Sequence, residues 1–379
     1  MGRLEVEICA PGKDIAGFWD SLVRRAPVNV FMSPAALNAA AATRSAKVHV
    51  LLAWDRSAEP RQLAGLWAFE ERGIVPFCSA FLAAPPYNYA FVSTPVIDPA
   101  LMDEVVAAFF DAIAASKLPK VIRLKLLDGD AEAGRAILRV LAGRKGQTLT
   151  LSEHTRPYVS GEQDLKRSGS TRKKMRQDWN RLSALGTPEV VNDRTADATR
   201  AAFEIFLKLE AESWKGAQGT ALLSKANDAA FARRFIGDLA TEGSASVALL
   251  RIDGKPIAAQ VLLYCGTVAY TWKTAFDAEY AKYSPGVLLV DKVTDDLFST
   301  HKIAQIESCS AEKSFLTHLW SGQRTTIDIL ADVGARRSLS FALAAGIERG
   351  YAQLKVTRDR LRAIHWPRQA KKTDLAASR

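Results

Sequence analysis

The chain has 379 residues, 48% of them hydrophobic and 24% charged, with a formal net charge of +10. That length suggests two domains or three, and that composition excludes a disordered, collagenous or low-complexity chain. The four cysteines, Cys9, Cys78, Cys265 and Cys309, show no CxxC or His-linked spacing. This argues against a zinc site or a disulfide scaffold and fits a reducing compartment. Acidic residues stand at the start where a signal peptide needs an apolar stretch, and no apolar run reaches the ~18 residues of a membrane span. A soluble, cytoplasmic protein is expected. The excess charge is local: residues 165–182 carry +6 and residues 335–372 carry +8, leaving −4 on everything else. Two basic segments on a nearly neutral body suit an anionic phosphate ligand or solvated helix faces as well as a nucleic acid.

In chain order, residues 47–54 and 62–69 read as a hairpin, 102–116 as a helix, 121–127 as a strand and 130–141 as a helix. A boundary is expected between 143 and 156, with residues 156–186 bridging two halves. Within the bridge, 170–185 forms a basic amphipathic helix, with Met175, Trp179, Leu182 and Leu185 on one face and Arg172, Lys173, Arg176 and Arg181 on the other. Helices follow at 197–214, with Ala201, Ile205 and Leu209 as apolar positions, and at 228–239. Strands at 246–252, 257–264 and 267–275 then form an antiparallel meander through Asp253-Gly254 and Cys265-Gly266 turns. A helix at 287–298, a strand at 303–307, a short helix at 312–319 and a strand at 325–330 complete this half. Residues 334–364 close the chain as helix interrupted near Gly350. The second half repeats the element order of the first, so the fold is read as a duplicated α/β unit.

The local chemistry concentrates in Tyr270-Thr-Trp-Lys-Thr-Ala-Phe-Asp277 and Tyr280 to Gly286. Pro285 suits the first turn of a helix and Ser284 its N-cap, so the segment reads either as a plain strand-to-helix turn or as a phosphate site made by the free backbone N–H groups. Strand alternation points Lys273 away from Trp272, and an inward Lys273 needs an anionic partner, Asp277 being nearest in sequence. Gly216 reads as the C′ residue that ends the preceding helix, leaving Trp214 and Lys215 beside a cleft. Glu307 and Glu312 are candidate general bases. His49, His154, His301, His318 and His365 lack metal-ligand spacing, so no metal is assigned, and no GxSxG, Walker or GxGxxG motif is present.

Glu212-Ser-Trp-Lys-Gly216, Trp272 to Tyr280, Tyr283-Ser-Pro-Gly-Val-Leu-Leu289 and Arg172 to Leu182 resemble the GNAT-type acyltransferases linked to bacterial cellulose and exopolysaccharide synthesis, relatives of the Fem-type aminoacyltransferases. The resemblance implies tandem GNAT-like folds with mixed, mainly antiparallel sheets flanked by helices. It divides the chain into a degenerate GNAT-like domain (1–155), a bridging basic helix (156–186), an acyltransferase domain (187–366) and a basic flexible tail (367–379). It also implies transfer from acyl-coenzyme A, acetyl-coenzyme A above all, to an amine or hydroxyl of a small molecule or an envelope or polysaccharide precursor. Lys273, Asp277 and Glu307 are then the catalytic candidates. Tyr283, Ser284, Pro285 and Gly286 would bind the donor, and Trp214, Lys215, Trp272 and Tyr280 the acceptor. Many relatives carry an Asp-rich stretch before a Tyr-Lys pair, where this chain reads Glu307-Ser-Cys-Ser-Ala-Glu-Lys-Ser-Phe315. That departure keeps open a non-catalytic GNAT-like binding module, and the basic helix at 166–181 keeps open a Fem-like transferase using aminoacyl-tRNA.

Overall fold

The computed structural model describes residues 3–365 apart from 44–45, 76–77, 145, 167–168, 301–302, 311–313 and 335–337. The first lobe runs β1 (Leu4–Cys9), α1 (Ala16–Val23), α2 (Pro34–Ala42), β2 (Val48–Asp55), β3 (Gln62–Val75), β4 (Cys78–Ala84), the short β5 (Val96–Ile97), α3 (Met102–Ala115), β6 (Val121–Asp128), α4 (Glu132–Gly143) and β7 (Thr148–Val159). Helix α5 (Ser170–Ser183) bridges to the second lobe. There follow β8 (Pro188–Val191), α6 (Ala196–Glu212), α7 (Trp214–Ala217), α8 (Ala226–Thr241), β9 (Ala245–Ile252), β10 (Lys255–Cys265), β11 (Val268–Phe276), α9 (Pro285–Thr300), β12 (Gln305–Glu307) and β13 (Gln323–Asp332). Helix α10 (Leu339–His365) continues through Gly350 without a break. A single helical glycine costs about 1 kcal/mol but does not forbid the helix. Of the helix read over 312–319, residues 312–313 lie outside the described residues and the rest holds a 3-10 turn, Phe315–His318.

Setting aside β5, the strands form one sheet in the order β1-β2-β3-β4-β6-β13-β7-β12-β11-β10-β9-β8. Each lobe repeats strand, two helices, three-stranded meander, helix, strand, final strand. The final strands are exchanged. β13, from the second lobe, pairs antiparallel with β6 and β7 of the first. β7, from the first, pairs with β12 of the second. Neither lobe completes its sheet from its own segment of chain.

Two apolar cores flank this sheet. Helix α3 buries Val105, Val106, Phe109, Phe110 and Ile113 on β2 and β3, with Trp67 6.0 Å from Phe109. Helix α9 buries Leu288, Leu289, Val290, Val293 and Leu297 against the β9–β11 meander. Each such side chain contributes about 1.5–3 kcal/mol of burial. In α5, Met175 and Leu182 are buried, but the helix ends at Ser183 and leaves Leu185 exposed in the turn beyond it. In α6 the buried residues are Thr199, Ala202, Phe203, Phe206, Leu207, Leu209 and Glu210, so Leu209 is buried as expected, whereas Ala201 is exposed. Among the described residues no helix is long and apolar enough to cross a membrane.

Candidate active site

The site begins where two strands part. β11 and β12 run parallel and pair from Val268↔Gln305 to Tyr270↔Glu307. Beyond that point the pairing stops, with the Thr271 hydroxyl donating to the Ser308 carbonyl at 2.8 Å across the fork. On the other side, Val261 faces Lys273 while Leu262 faces Thr271, so Trp272 is the extra residue of a β-bulge. The Asp277 N–H bonds the Ile257 carbonyl of the strand-β10 hairpin at 2.8 Å. Antiparallel alternation then turns the backbone groups of Thr274 toward the open edge. The ammonium of Lys215 donates to that Thr274 carbonyl at 3.1 Å.

A buried charge cluster stands beside this edge. Glu210, fully buried on α6, takes Lys273 Nζ at 3.0 Å and Lys215 Nζ at 3.4 Å on Oε1. Its Oε2 accepts the Leu222 N–H at 2.8 Å. Two ammonium groups therefore share one carboxylate. Burial pushes the Lys215 pKa down, partly offset by the nearby Glu210 charge. Glu210, not Asp277, is the partner of Lys273; Asp277 pairs with Lys255 at 3.2 Å and caps the following 3-10 turn through the Glu279 N–H.

The first lobe closes the site from the other side. Tyr89, on the loop after β4, accepts the Trp272 indole N–H on its carbonyl at 2.9 Å. Its ring lies edge-on to Trp272 and 5.2 Å from Lys273 Nζ. The bulge explains why Trp272 and Lys273 both reach Tyr89 instead of pointing to opposite faces. The Tyr89 hydroxyl donates to Asp228 of α8 at 2.6 Å. Burial and that carboxylate raise the phenol pKa well above its usual value. A cleft of about 440 Å³ opens here, lined by Asn88, Tyr89, Lys225, Asn227, Asp228 and Phe231.

A fork between parallel strands, a bulge at its apex and a helix leading out of the bulged strand make a distinctive combination. Residues 169–309 match the acetyltransferase (GNAT) domain family. The match runs from the start of α5 across the meander and α9 to just past the fork. No curated protein matches the chain by sequence. Among solved structures, the fold is similar to that of FemX, with a TM-score of 0.60 at 10% identity over 90% of this chain and 100% of that one. It is also similar to a conserved protein of unknown function from Bacteroides thetaiotaomicron, with a TM-score of 0.54 at 14% identity over 85% of this chain and 99% of the other. The architecture is a tandem of two GNAT-like α/β units, the second carrying the GNAT domain match.

The remaining sequence candidates fall in several places around the GNAT domain. Ser284 precedes α9 in a left-handed conformation, φ +53°, so its hydroxyl does not cap the helix. Instead it meets the buried Asp178 carboxylate of α5 at 3.2 Å. A protein carboxylate thus stands at the helix start expected to bind phosphate. Gly286 faces the Phe276 ring, which an added Cβ would meet at 3.3 Å, so the glycine serves packing onto β11. Pro285 and Tyr283 are buried, with Arg181 5.4 Å from the Tyr283 ring. Tyr280 lies under Lys255 on the outer side of the turn. Trp214 is 60% exposed. Gly216 lies inside α7, not at C′, and it is a glycine because a Cβ there would strike the Ala211 carbonyl at 1.7 Å. Glu307 is 1% exposed and sits between Arg156 at 2.8 Å and Arg324 at 3.3 Å. Arg324 also holds Asp128 at 3.0 Å. A carboxylate enclosed by two guanidiniums serves as their counter-ion at the junction of the exchanged strands, not as a free base. Glu312, Lys313 and the 367–379 tail lie outside the described residues.

Glu210, Tyr89 and Asp228 were missed from the sequence. A signal for Glu210 existed: Phe203, Phe206 and Glu210 lie at i, i+3 and i+7, which puts an acid on the buried stripe. Tyr89 and Asp228 are 139 residues apart, and nothing local links them.

Proposed function

We propose that this chain is an acyl-coenzyme A-dependent transferase that delivers the acyl group to an amine or hydroxyl of a small molecule or an envelope or polysaccharide precursor in the cytoplasm. The observation that carries the reading is the β11–β12 fork with its bulge at Trp272. The open edge of β11 offers backbone groups to an extended acyl-bearing arm, and the fork admits it between the strands. Lys273 and Lys215 share only Glu210, so one positive charge is uncompensated beside the bulge. It can stabilise the oxyanion that forms when the acceptor attacks the carbonyl, an effect commonly worth about 10²–10³-fold in rate. The buried thiols support direct attack over a covalent route. Burial pushes Cys265 up to about 12 and Cys309 well above the ordinary thiol range, so neither is a ready nucleophile.

The residues fit the acyl arm better than its phosphates. With Asp178 beside Ser284, the phosphates fall to the exposed Lys174, Arg176, Arg181 and Lys282 around the start of α9. Titration with acetyl-coenzyme A should show saturable binding. Lys273→Met should keep that binding while transfer to an amine panel falls about 10²–10³-fold. Absence of both binding and transfer in the wild type would overturn the reading. The carboxylate at the helix start favours a second reading, an aminoacyl-tRNA donor held by the same basic row. It predicts tRNA binding that weakens steeply with salt.

A further inference from the structure

We propose that the cleft between Asn88-Tyr89 of the first lobe and the start of α8 is an acceptor site, and that its ligand is a small zwitterion: a primary amine bearing a carboxylate or a phosphate. The assignment deepens the transferase reading, but its binding chemistry stands apart from it. The volume of about 440 Å³ lies within the range of small-molecule sites, about 300–1,000 Å³.

The charges that line it are opposite and held apart. Lys225 and Asp228 are three residues apart at the beginning of α8, a spacing at which lysine and aspartate commonly pair. Here Asp228 accepts the Tyr89 hydroxyl at 2.6 Å. The Lys225 ammonium is exposed and has no hydrogen-bond or ion-pair partner among the described residues. The cleft therefore presents a carboxylate and, three residues earlier on the same helix start, an ammonium that does not pair with it. Rings frame the carboxylate: Tyr89 and Phe231 lie nearly parallel, 17° apart, with centroids 6.3 Å from each other. A carboxylate bordered by aromatic faces suits an ammonium, which gains from both. A neutral hydroxyl would gain far less.

Tyr89 also ties this cleft to the fork. Its backbone has φ +71°, a left-handed conformation that is strained for a bulky residue. The indole N–H of Trp272, the bulge residue, holds its carbonyl at 2.9 Å. The partition between cleft and donor edge is thus one residue with a strained backbone, the bulge on one side and Asp228 on the other. Tyr89 thus touches both Asp228 and the bulge: its hydroxyl donates to the first and its carbonyl accepts from the second.

The test is binding without any acyl donor, by calorimetric titration of the full chain. The probes are lysine and glucosamine 6-phosphate as zwitterions, cadaverine as amine alone and glucose 6-phosphate as anion alone. At least one zwitterion should bind wild type more tightly than either half-probe. Asp228→Asn should weaken that zwitterion and cadaverine about tenfold without changing glucose 6-phosphate, and Lys225→Gln should do the reverse for the half-probes, a loss of about 1.4 kcal/mol each. Thermal melts of both variants verify folding. Equal binding by the variants, or no zwitterion binding by wild type at millimolar concentration, overturns the proposal. Zwitterion binding without acyl transfer would fault the transferase reading and leave the cleft assignment standing. Amine transfer unaffected by both substitutions would do the opposite.

Discussion

The two lobes share an element order, yet only one contains an open fork. In the second lobe, β11 leaves β12 after Tyr270 and runs past the gap into α9, whose first turn holds no acid. In the first lobe, β4 pairs with β6 through Ala84↔Leu124, and the chain then leaves the sheet as a long loop. Helix α3 begins with Asp103 and Glu104, which satisfy the positive helix end with the chain's own charges. The departing loop carries Tyr87 into the core against Phe231 and Tyr89 against Trp272. One copy of the fold has kept the gap, and the other supplies its wall. The interface between the two units forms part of the candidate site.

The largest effect that tests this comparison is removal of the exchanged strand. A chain ending at residue 322 lacks β13, so β6 and β7 each lose an antiparallel neighbour. Cooperative urea unfolding, followed by far-UV circular dichroism, should disappear in both lobes. A cooperative melt from the truncated chain would show that the first lobe stands alone. Next in size is Glu210→Ala, which leaves two ammonium groups without their shared carboxylate and should cost about 3–5 kcal/mol. The matching loss of an acid in the first lobe, Glu104→Ala, should cost under about 1 kcal/mol. Equal losses in chemical denaturation would erase the distinction between a buried site charge and an exposed helix-start charge.

The smallest effect is a pH slope. The Lys215 pKa is lowered by burial in the folded chain, so the unfolded chain binds more protons between that lowered value and the ordinary 10.5. Stability should therefore rise with pH across that window. Lys215→Met should flatten the slope relative to wild type in urea titrations over the alkaline range. A slope unchanged by the substitution would mean that Lys215 carries no such penalty.

Much of the second lobe was legible because its periodicities are strong and its turns are marked. The meander breaks at Asp253-Gly254 and Cys265-Gly266, and α9 begins at Pro285. The first lobe was less legible: α2 and β4 lie in stretches without clean alternation or an amphipathic stripe, and β1, though it alternates as Leu4-Glu5-Val6-Glu7-Ile8, is too short and too near the start of the chain to stand out. The site divided along the same line. Lys273 and Lys215 stood out as charges in apolar surroundings, but their shared partner Glu210 sits beside Glu212 in a helix that looks ordinary in sequence. Ser284-Pro285-Gly286 had the residues of a phosphate-binding start, whereas Asp178, from 106 residues earlier, decided what that start touches. Local pattern specifies elements; which distant side chain meets them is set by packing.

The exchange of final strands also bears on how the protein is made. Translation delivers β1 through β7 first, yet the place between β6 and β7 stays empty until residues 323–332 emerge. The earliest-made lobe is thus the one that must wait longest, its sheet edges open while most of the chain is still being synthesised. Such late, long-range pairing slows folding and exposes strand edges to misassociation. The nascent first lobe is the stage at which this protein most needs protection by a chaperone.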